Sequence, residues 1–322
     1  MALIPTSGNN QVFYNDVTNQ YHLVRIAPSD GTKTDLGVIA QTDQLTAIAS
    51  LETQVDLATI QINKLNPTEV RLGNVTGYAI MEAMGERIGV GTTATGEDIT
   101  RINDLSATPA SPASHTVIPM PADAGEQMTL ISESDADNGA TATGALTVTL
   151  EYLDATGVEQ TETVTMNGQA QVNTTATDIR FLNDMYVATV GSGTIAAGHI
   201  RVYKTGSNTL VYNMIAEGGN KSLVPHRMVP LGKTLYLQEW HSEEAQGKRI
   251  NVRIRANATP AGVLNNNAFL FKDVAFVKQS ASGLLPLRAM PIPSLAVVKV
   301  SGWAIVSAGE VGCGWWGYLV DD

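Results

Sequence analysis

The chain has 322 residues and a formal net charge of −11 at pH 7, with 43% hydrophobic but only 16% charged residues. This acidic balance argues against sequence-independent nucleic-acid binding, which needs clustered Lys and Arg, and against docking on an anionic membrane. A surface so poor in charge must be covered by neutral Thr, Ser, Asn and Ala, a composition common in β-rich extracellular or virion proteins.

The sequence also limits disulfide chemistry and secretion. Its single cysteine, Cys313, excludes an intrachain disulfide and a thiolate zinc cluster. No stretch has the apolar length of a membrane span, and residues 1–10 lack the basic flank and hydrophobic run of a signal peptide. We therefore expect a protein that is made in a host cytoplasm and leaves it by another route, such as release on the surface of a particle.

Residues 1–40 are predicted to form an N-terminal anchoring arm. Short apolar clusters alternate there with turn residues at 7–10 and 29–31. Such hairpin-like pieces bury little by themselves, so we expect them to pack on a partner subunit or on a neighbouring protein. The residues predicted to make this contact are Phe13, Tyr14, Tyr21, Leu23 and Ile26.

Residues 41–67 are predicted to form a short coiled-coil helix. Thr42 or Asp43 can cap its start, and Asn66-Pro67 ends it because Pro67 cannot continue the hydrogen-bond ladder. Apolar residues repeat at alternating steps of three and four, which is typical of a coiled-coil seam and predicts a homo-oligomer. The seam residues favour a dimer, whereas flanking β-domains often dictate a trimer, which we favour. The predicted interface residues are Ile48, Leu51, Val55, Ala58, Ile62 and Leu65. The alternative is that the seam packs on the chain's own β-domain.

The rest of the chain is predicted to be a connector over residues 68–125, partly β, and a β-domain over residues 126–322. Turn residues at Asp154–Gly157 and Asn167-Gly168 separate alternating segments there, with no helical crossover pattern. The predicted fold class is mainly β, with an extended N-terminal arm, a short coiled-coil helix and a C-terminal jelly-roll-like β-sandwich. The predicted strands are 147–152, 162–166, 185–190, 199–204, 209–215, 234–240, 250–256, 269–277, 296–306 and 314–320.

We find no catalytic constellation in the sequence and predict no cofactor, metal or catalytic residue. No two of the five histidines have metal-ligand spacing, and no G-x-S-x-G elbow occurs. The segment 231–234 looks like the end of a phosphate loop, but the required earlier glycine is Arg227 and the region has the pattern of a turn leading into a strand. The histidines are His22, His115, His199, His226 and His241.

Two local patterns leave alternatives open. The loop with Glu133, Asp135 and Asp137 imitates the start of a calcium loop, although its glycine is one residue early. The aromatic cluster around Trp315-Trp316 can be a sugar-stacking surface or part of the core. Because adjacent strand residues point to opposite faces, at least one of these two tryptophans is expected in the core or at a subunit interface.

Several segments occur in the same order as in a family of tailed-phage virion structural proteins, which the chain resembles over most of residues 80–322. These segments are Gly85-Glu86-Arg87, Gly96-Glu97-Asp98-Ile99, Gly144-Ala145-Leu146-Thr147-Val148 with Leu153-Asp154, Gln160 to Gly168 with Val172-Asn173-Thr174, Met185-Tyr186-Val187 with Gly191-Ser192-Gly193, Val229 to Leu237, and Gly314 to Asp322. The chain lacks the Trp-Gly-Gly that usually follows the Glu-Asp pair. The resemblance implies a particle component with a β-domain and no catalytic residues.

Three functions are compatible with these features. The first is a capsid decoration (cement) protein or head fibre, and the second is a tail fibre or receptor-binding protein. The third is a polysaccharide depolymerase, which the small size and the absence of a clustered acid pair disfavour. Aromatic residues make up only 6% and mostly lie within predicted strands, which favours the head location over a receptor-binding tip.

Overall fold

The computed structural model describes four strands within residues 1–38 by their backbone. Beyond them it describes residues 78–104 except residue 95, then 117–139, 142–257, 268–278 and 283–322, with residues 283–289 again by their backbone. The chain divides into two units, Met1–Asn74 and Val75–Asp322.

The predicted fold class is wrong. The described part of the chain is all-β, and its one short helical element is a 3-10 turn, Arg101–Asp104. Segment 41–67, with the predicted seam Ile48 to Leu65, lies outside the described residues. Small antiparallel sheets in a propeller-like ring replace the predicted C-terminal jelly roll.

The described residues of the first unit form a four-stranded antiparallel sheet in the order β1-β2-β3-β4. Its strands are β1 Ala2–Pro5, β2 Asn10–Asn15, β3 Gln20–Ile26 and β4 Lys33–Val38. Each strand pairs with the next one along the chain, so all the pairings are local.

The described residues of the second unit form sixteen strands in four antiparallel sheets. They are β5 Tyr78–Val90, β6 Glu97–Asp98, β7 Met128–Ser132, β8 Ala145–Leu153, β9 Glu159–Thr165, β10 Val172–Asn173, β11 Phe181–Val190, β12 Ile200–Lys204, β13 Ser207–Ile215, β14 Arg227–Met228, β15 Lys233–Glu244, β16 Ile250–Asn257, β17 Phe269–Val277, β18 Gly283–Ile292, β19 Val297–Ala304 and β20 Gly309–Asp321. The sheet orders are β10-β7-β12-β13, β11-β8-β9, β14-β19-β16-β17 with β6 on β19, and β18-β15-β20-β5.

Two large hydrophobic cores lie between these sheets. The first core joins the β18-β15-β20-β5 sheet to the β14-β19-β16-β17 sheet, and Trp240 is fully buried in it. The second core joins the two sheets built from β7 to β13, and Leu150 and Met185 are fully buried in it. The strands of the second core are therefore inserted in the chain between β6 and β14.

Many local elements match their sequence predictions. Strand β17 has the predicted bounds, and each of the other nine predicted strands overlaps an observed one. The predicted hairpin between β8 and β9 is confirmed: Asp154 Oδ1 accepts the N–H groups of Thr156 and Val158, and Gly157 has φ +90°. Residues 231–234 are a turn leading into β15, as predicted.

Asp137 organises the loop that resembled a calcium site. Its buried carboxylate accepts the backbone N–H groups of Ala145 at 2.7 Å, Ala197 at 2.8 Å and Gly198 at 3.0 Å. It also accepts the hydroxyl of Ser132. Four protein donors thus occupy the oxygens that a cation would need.

We expect Asp137→Ala to lower the free energy of unfolding by about 3 kcal/mol or more, because three backbone N–H groups, two of them buried, lose their acceptor. Asp135→Ala is the matched control, since Asp135 is exposed and accepts one backbone N–H at 3.2 Å. Urea unfolding followed by circular dichroism measures both. Equal losses in the two variants would contradict the organising role of Asp137.

Candidate interaction surfaces

The predicted site residues fall in two places. The interface residues between Ile48 and Leu65 lie outside the described residues. The predicted arm residues lie in the first unit, with Phe13 and Tyr14 in β2 and the other three in β3. The register pairs Tyr14 with Tyr21, so part of this set is adjacent along the sheet.

The tryptophans divide between the core and the surface. Trp240 and Trp315 are buried in the first core, whereas Trp316 is half-buried on the opposite face of β20. The expectation that at least one of the Trp315-Trp316 pair is buried is therefore confirmed. Trp316 donates its indole N–H to Glu239 at 3.0 Å and makes an edge-on contact with Tyr318.

One exposed surface combines aromatic and basic side chains on the outer face of β16, β17 and β19. Phe271 is 55% exposed and Phe276 is 70% exposed, which is unusual for Phe. The register places Phe276 and Trp303 on either side of Asn251. We call this the basic aromatic face. Its members are Arg249, Arg253, Phe271, Val274, Phe276, Lys278 and Trp303.

Arg253 lies at the centre of the basic aromatic face. Its guanidinium carbon is 3.5 Å from the ring centre of Trp303 and 4.7 Å from that of Phe271, which are cation–π contacts. Its hydrogen bonds go to Asn251 and to the carbonyl of Ala94, and no carboxylate of the described residues pairs with it. Partial burial and the nearby Arg255 lower the pKa of Arg253. The face therefore presents a positive charge without an internal counterion.

A second exposed surface lies on β5, an edge strand of its sheet. Ile80 is 65% exposed and Met84 is 60% exposed, and they alternate with Glu82 and Glu86 on the outer face. Exposed Glu243 of β15 is in register with Gly312 of β20, beside Glu86, and extends this surface. We call it the acidic face. Its members are Ile80, Glu82, Met84, Glu86, Ile88 and Glu243.

A cleft of about 320 Å³ lies between β5 and the β11-β8-β9 sheet. On its wall, buried Asp184 is 3.1 Å from Arg227 and 3.2 Å from Lys221. Glu151 is the cross-strand neighbour of Asp184. Desolvation in the cleft and the negative charge of Asp184 raise the pKa of Glu151. Most charges of the cleft wall therefore pair with one another.

A buried charged cluster lies beside the basic aromatic face, on the same side of the sheet. Asp98 is fully buried, lies 3.2 Å from Lys299 and 3.5 Å from Arg255, and accepts the N–H of Ile118 at 3.0 Å. Burial opposes ionisation of Asp98, but the charge of Lys299, together with His226 and Arg255, outweighs it and lowers the pKa. The cluster thus holds β6, β16, β19 and the segment after residue 117 together.

Two segments that carry the virion-protein resemblance meet beside this cluster. Arg87 of the first segment pairs with Glu97 of the second at 2.6 Å, and both side chains are largely buried. A Cβ at Gly85 would lie 2.5 Å from Pro225 and 2.7 Å from the carbonyl of Ile99, so only glycine fits there without displacement. These two segments are therefore packed against each other.

The described residues contain no group of three or more His, Cys, Asp and Glu side chains placed to hold a metal ion. No helix among them has the length and apolar character needed to cross a membrane. Comparison with known proteins found no matching family model, no matching curated protein and no matching solved structure.

The buried His226 gives a prediction for acid stability. Burial, which Asp98 opposes and the charges of Lys299 and Arg255 reinforce, lowers the pKa of His226 to about 3. The unfolded histidine, with a pKa of about 6.5, therefore binds a proton that the folded protein excludes. Stability is unaffected above that pH and falls by up to about 1.4 kcal/mol per pH unit as the pH drops toward 3.

We expect His226→Gln to remove this contribution, so that the difference in unfolding free energy between wild type and variant changes steeply between pH 6 and pH 4. Denaturant unfolding at a series of pH values measures that difference. His199→Gln, which alters a histidine outside the cluster, is the control. A wild-type slope in the His226→Gln variant would contradict the assignment.

Proposed function

We propose that this chain is a non-enzymatic virion structural protein, a capsid decoration (cement) protein or head fibre that stabilises a phage shell. The observation that carries the proposal is the pair of exposed apolar faces on one small protein. Isolated soluble proteins rarely expose contiguous apolar patches, and such patches mark interaction sites. The ordered resemblance to tailed-phage virion proteins supports the same role.

The proposed mechanism is added interface area between subunits. Burying apolar surface contributes about 25 cal/mol per Å² before the costs of association are subtracted. Several copies on one particle then add avidity, because each further contact forms within an assembly that already exists. The partners we propose are other copies of this chain, with a homo-oligomer such as a trimer as the unit, and the major capsid protein or other virion proteins.

The charged groups of the described residues fit a structural role. Asp184 in the cleft is held by Arg227 and Lys221, and Asp98 is held by Lys299 and Arg255. Carboxylates engaged in this way fix strands and loops in place.

A tail fibre or receptor-binding protein is the second candidate. The observation that favours it is the exposure of Phe271 and Phe276 beside Trp303, since aromatic surfaces of this kind stack on sugars and on protein side chains. The argument from the low aromatic content loses weight here, because these strand residues face outward.

Copy number on the particle separates these candidates. In purified phage particles, we expect gel densitometry against the major capsid protein to give hundreds of copies of this chain, because decoration proteins occupy repeated sites. A few copies to a few dozen would favour the tail-fibre role. If the chain does not co-purify with particles, both virion roles are wrong.

A further inference from the structure

We propose that the acidic face of one copy docks on the basic aromatic face of another copy of the same chain. This inference deepens the proposed function and rests on it, because it takes both faces as assembly surfaces. It adds that the two faces bind each other. It assigns them a head-to-tail contact, in which two different surfaces of the chain meet.

The apolar groups of the two faces match in extent. On the acidic face, Ile80, Met84 and Ile88 are 65%, 60% and 39% exposed. On the basic aromatic face, Phe271 and Phe276 are 55% and 70% exposed. Each row lies on an edge strand of the described sheets, β5 in one sheet and β17 in another. Contact between the rows would remove both from water.

The charges of the two faces are complementary. Arg249, Arg253 and Lys278 alternate with inward-facing residues, and no carboxylate of the described residues pairs with them. The acidic face offers Glu82 and Glu243; the nearest cation to Glu82 is Lys221, at the outer limit of an ion pair at 4.0 Å. Opposite charges guide and orient association, whereas contact of like faces would bring equal charges together.

Complementary but different faces produce a heterologous interface. Such an interface forms a closed ring when its rotation closes and an open filament when it does not. A ring fits a particle protein that acts as a small oligomer, and the trimer expected from the sequence is one such ring. Every subunit of a ring uses both faces.

The test uses the full-length protein and one substitution on each face. We choose Met84→Asp on the acidic face and Phe276→Asp on the basic aromatic face, since both side chains are highly exposed. Sedimentation velocity should show the wild type as an oligomer that weakens as salt rises, and each variant alone at lower mass. An equimolar mixture of the variants should recover dimers, because the Met84→Asp variant keeps an intact basic aromatic face and the Phe276→Asp variant keeps an intact acidic face.

The controls test folding and specificity. Ile195→Asp changes an exposed apolar residue, 43% exposed, in the loop between β11 and β12, outside both faces, and should leave the oligomer intact. Thermal unfolding within a few degrees of wild type shows that each variant is folded, as expected for surface substitutions. A monomeric wild type, a variant that keeps the wild-type mass, or a mixture no larger than its components overturns the inference.

This result is independent of the particle measurement. If sedimentation shows no head-to-tail contact but purified particles carry hundreds of copies, the interface is overturned and the virion role still stands. If sedimentation shows the head-to-tail contact but the chain is absent from particles, the virion role is overturned and the interface still stands.

Discussion

The buried carboxylate of Asp98 fixes the sheet on which the basic aromatic face is built. It takes up the charges of Lys299 and Arg255 and the N–H of Ile118, so that three separate parts of the chain converge on one side chain. Removing one member of such a buried group leaves an uncompensated charge, which is far more costly than losing an exposed ion pair. The positions of β6, β16 and β19, and hence of everything mounted on them, depend on this group.

This arrangement also decides which cations remain available at the surface. Lys299 is used internally and is covered by the ring of Phe269 at 4.4 Å, while Arg253, two residues before Arg255 on the same strand, has aromatic neighbours instead of a carboxylate. One face of the sheet therefore carries two groups of basic residues side by side, Arg255 and Lys299 neutralised by Asp98 and Arg253 packed among aromatic rings. The acidic net charge of the chain hides this local excess of positive charge, so whole-chain composition is a poor guide to partners at this site.

Strand positions could be predicted because local signals determine them. The bounds of β17, Phe269–Val277, follow from a run of apolar and aromatic residues, and the β8–β9 turn follows from Asp154. The surface could not be predicted. Strict alternation along β17 would place Phe271 on one face of the strand and Val274 and Phe276 on the other. A register shift in the pairing of β16 and β17 brings all three to one face. Strand β5 could not be predicted for another reason: apolar residues occur on both of its faces, so its sequence shows no alternation of apolar and polar residues.

The insertion of one core inside the other has a consequence for the order of synthesis. Asp98 and Lys299 are 201 positions apart, and β5 pairs with the final strand of the chain. The strands of the second core leave the ribosome together and can complete their own pairing, whereas the first core has to wait for the last residues. Such long-range closure is slow and leaves apolar surface uncovered during synthesis. The second unit is thus expected to assemble from its middle outwards, and β5, its first strand to be made, is among the last to find its partner strand.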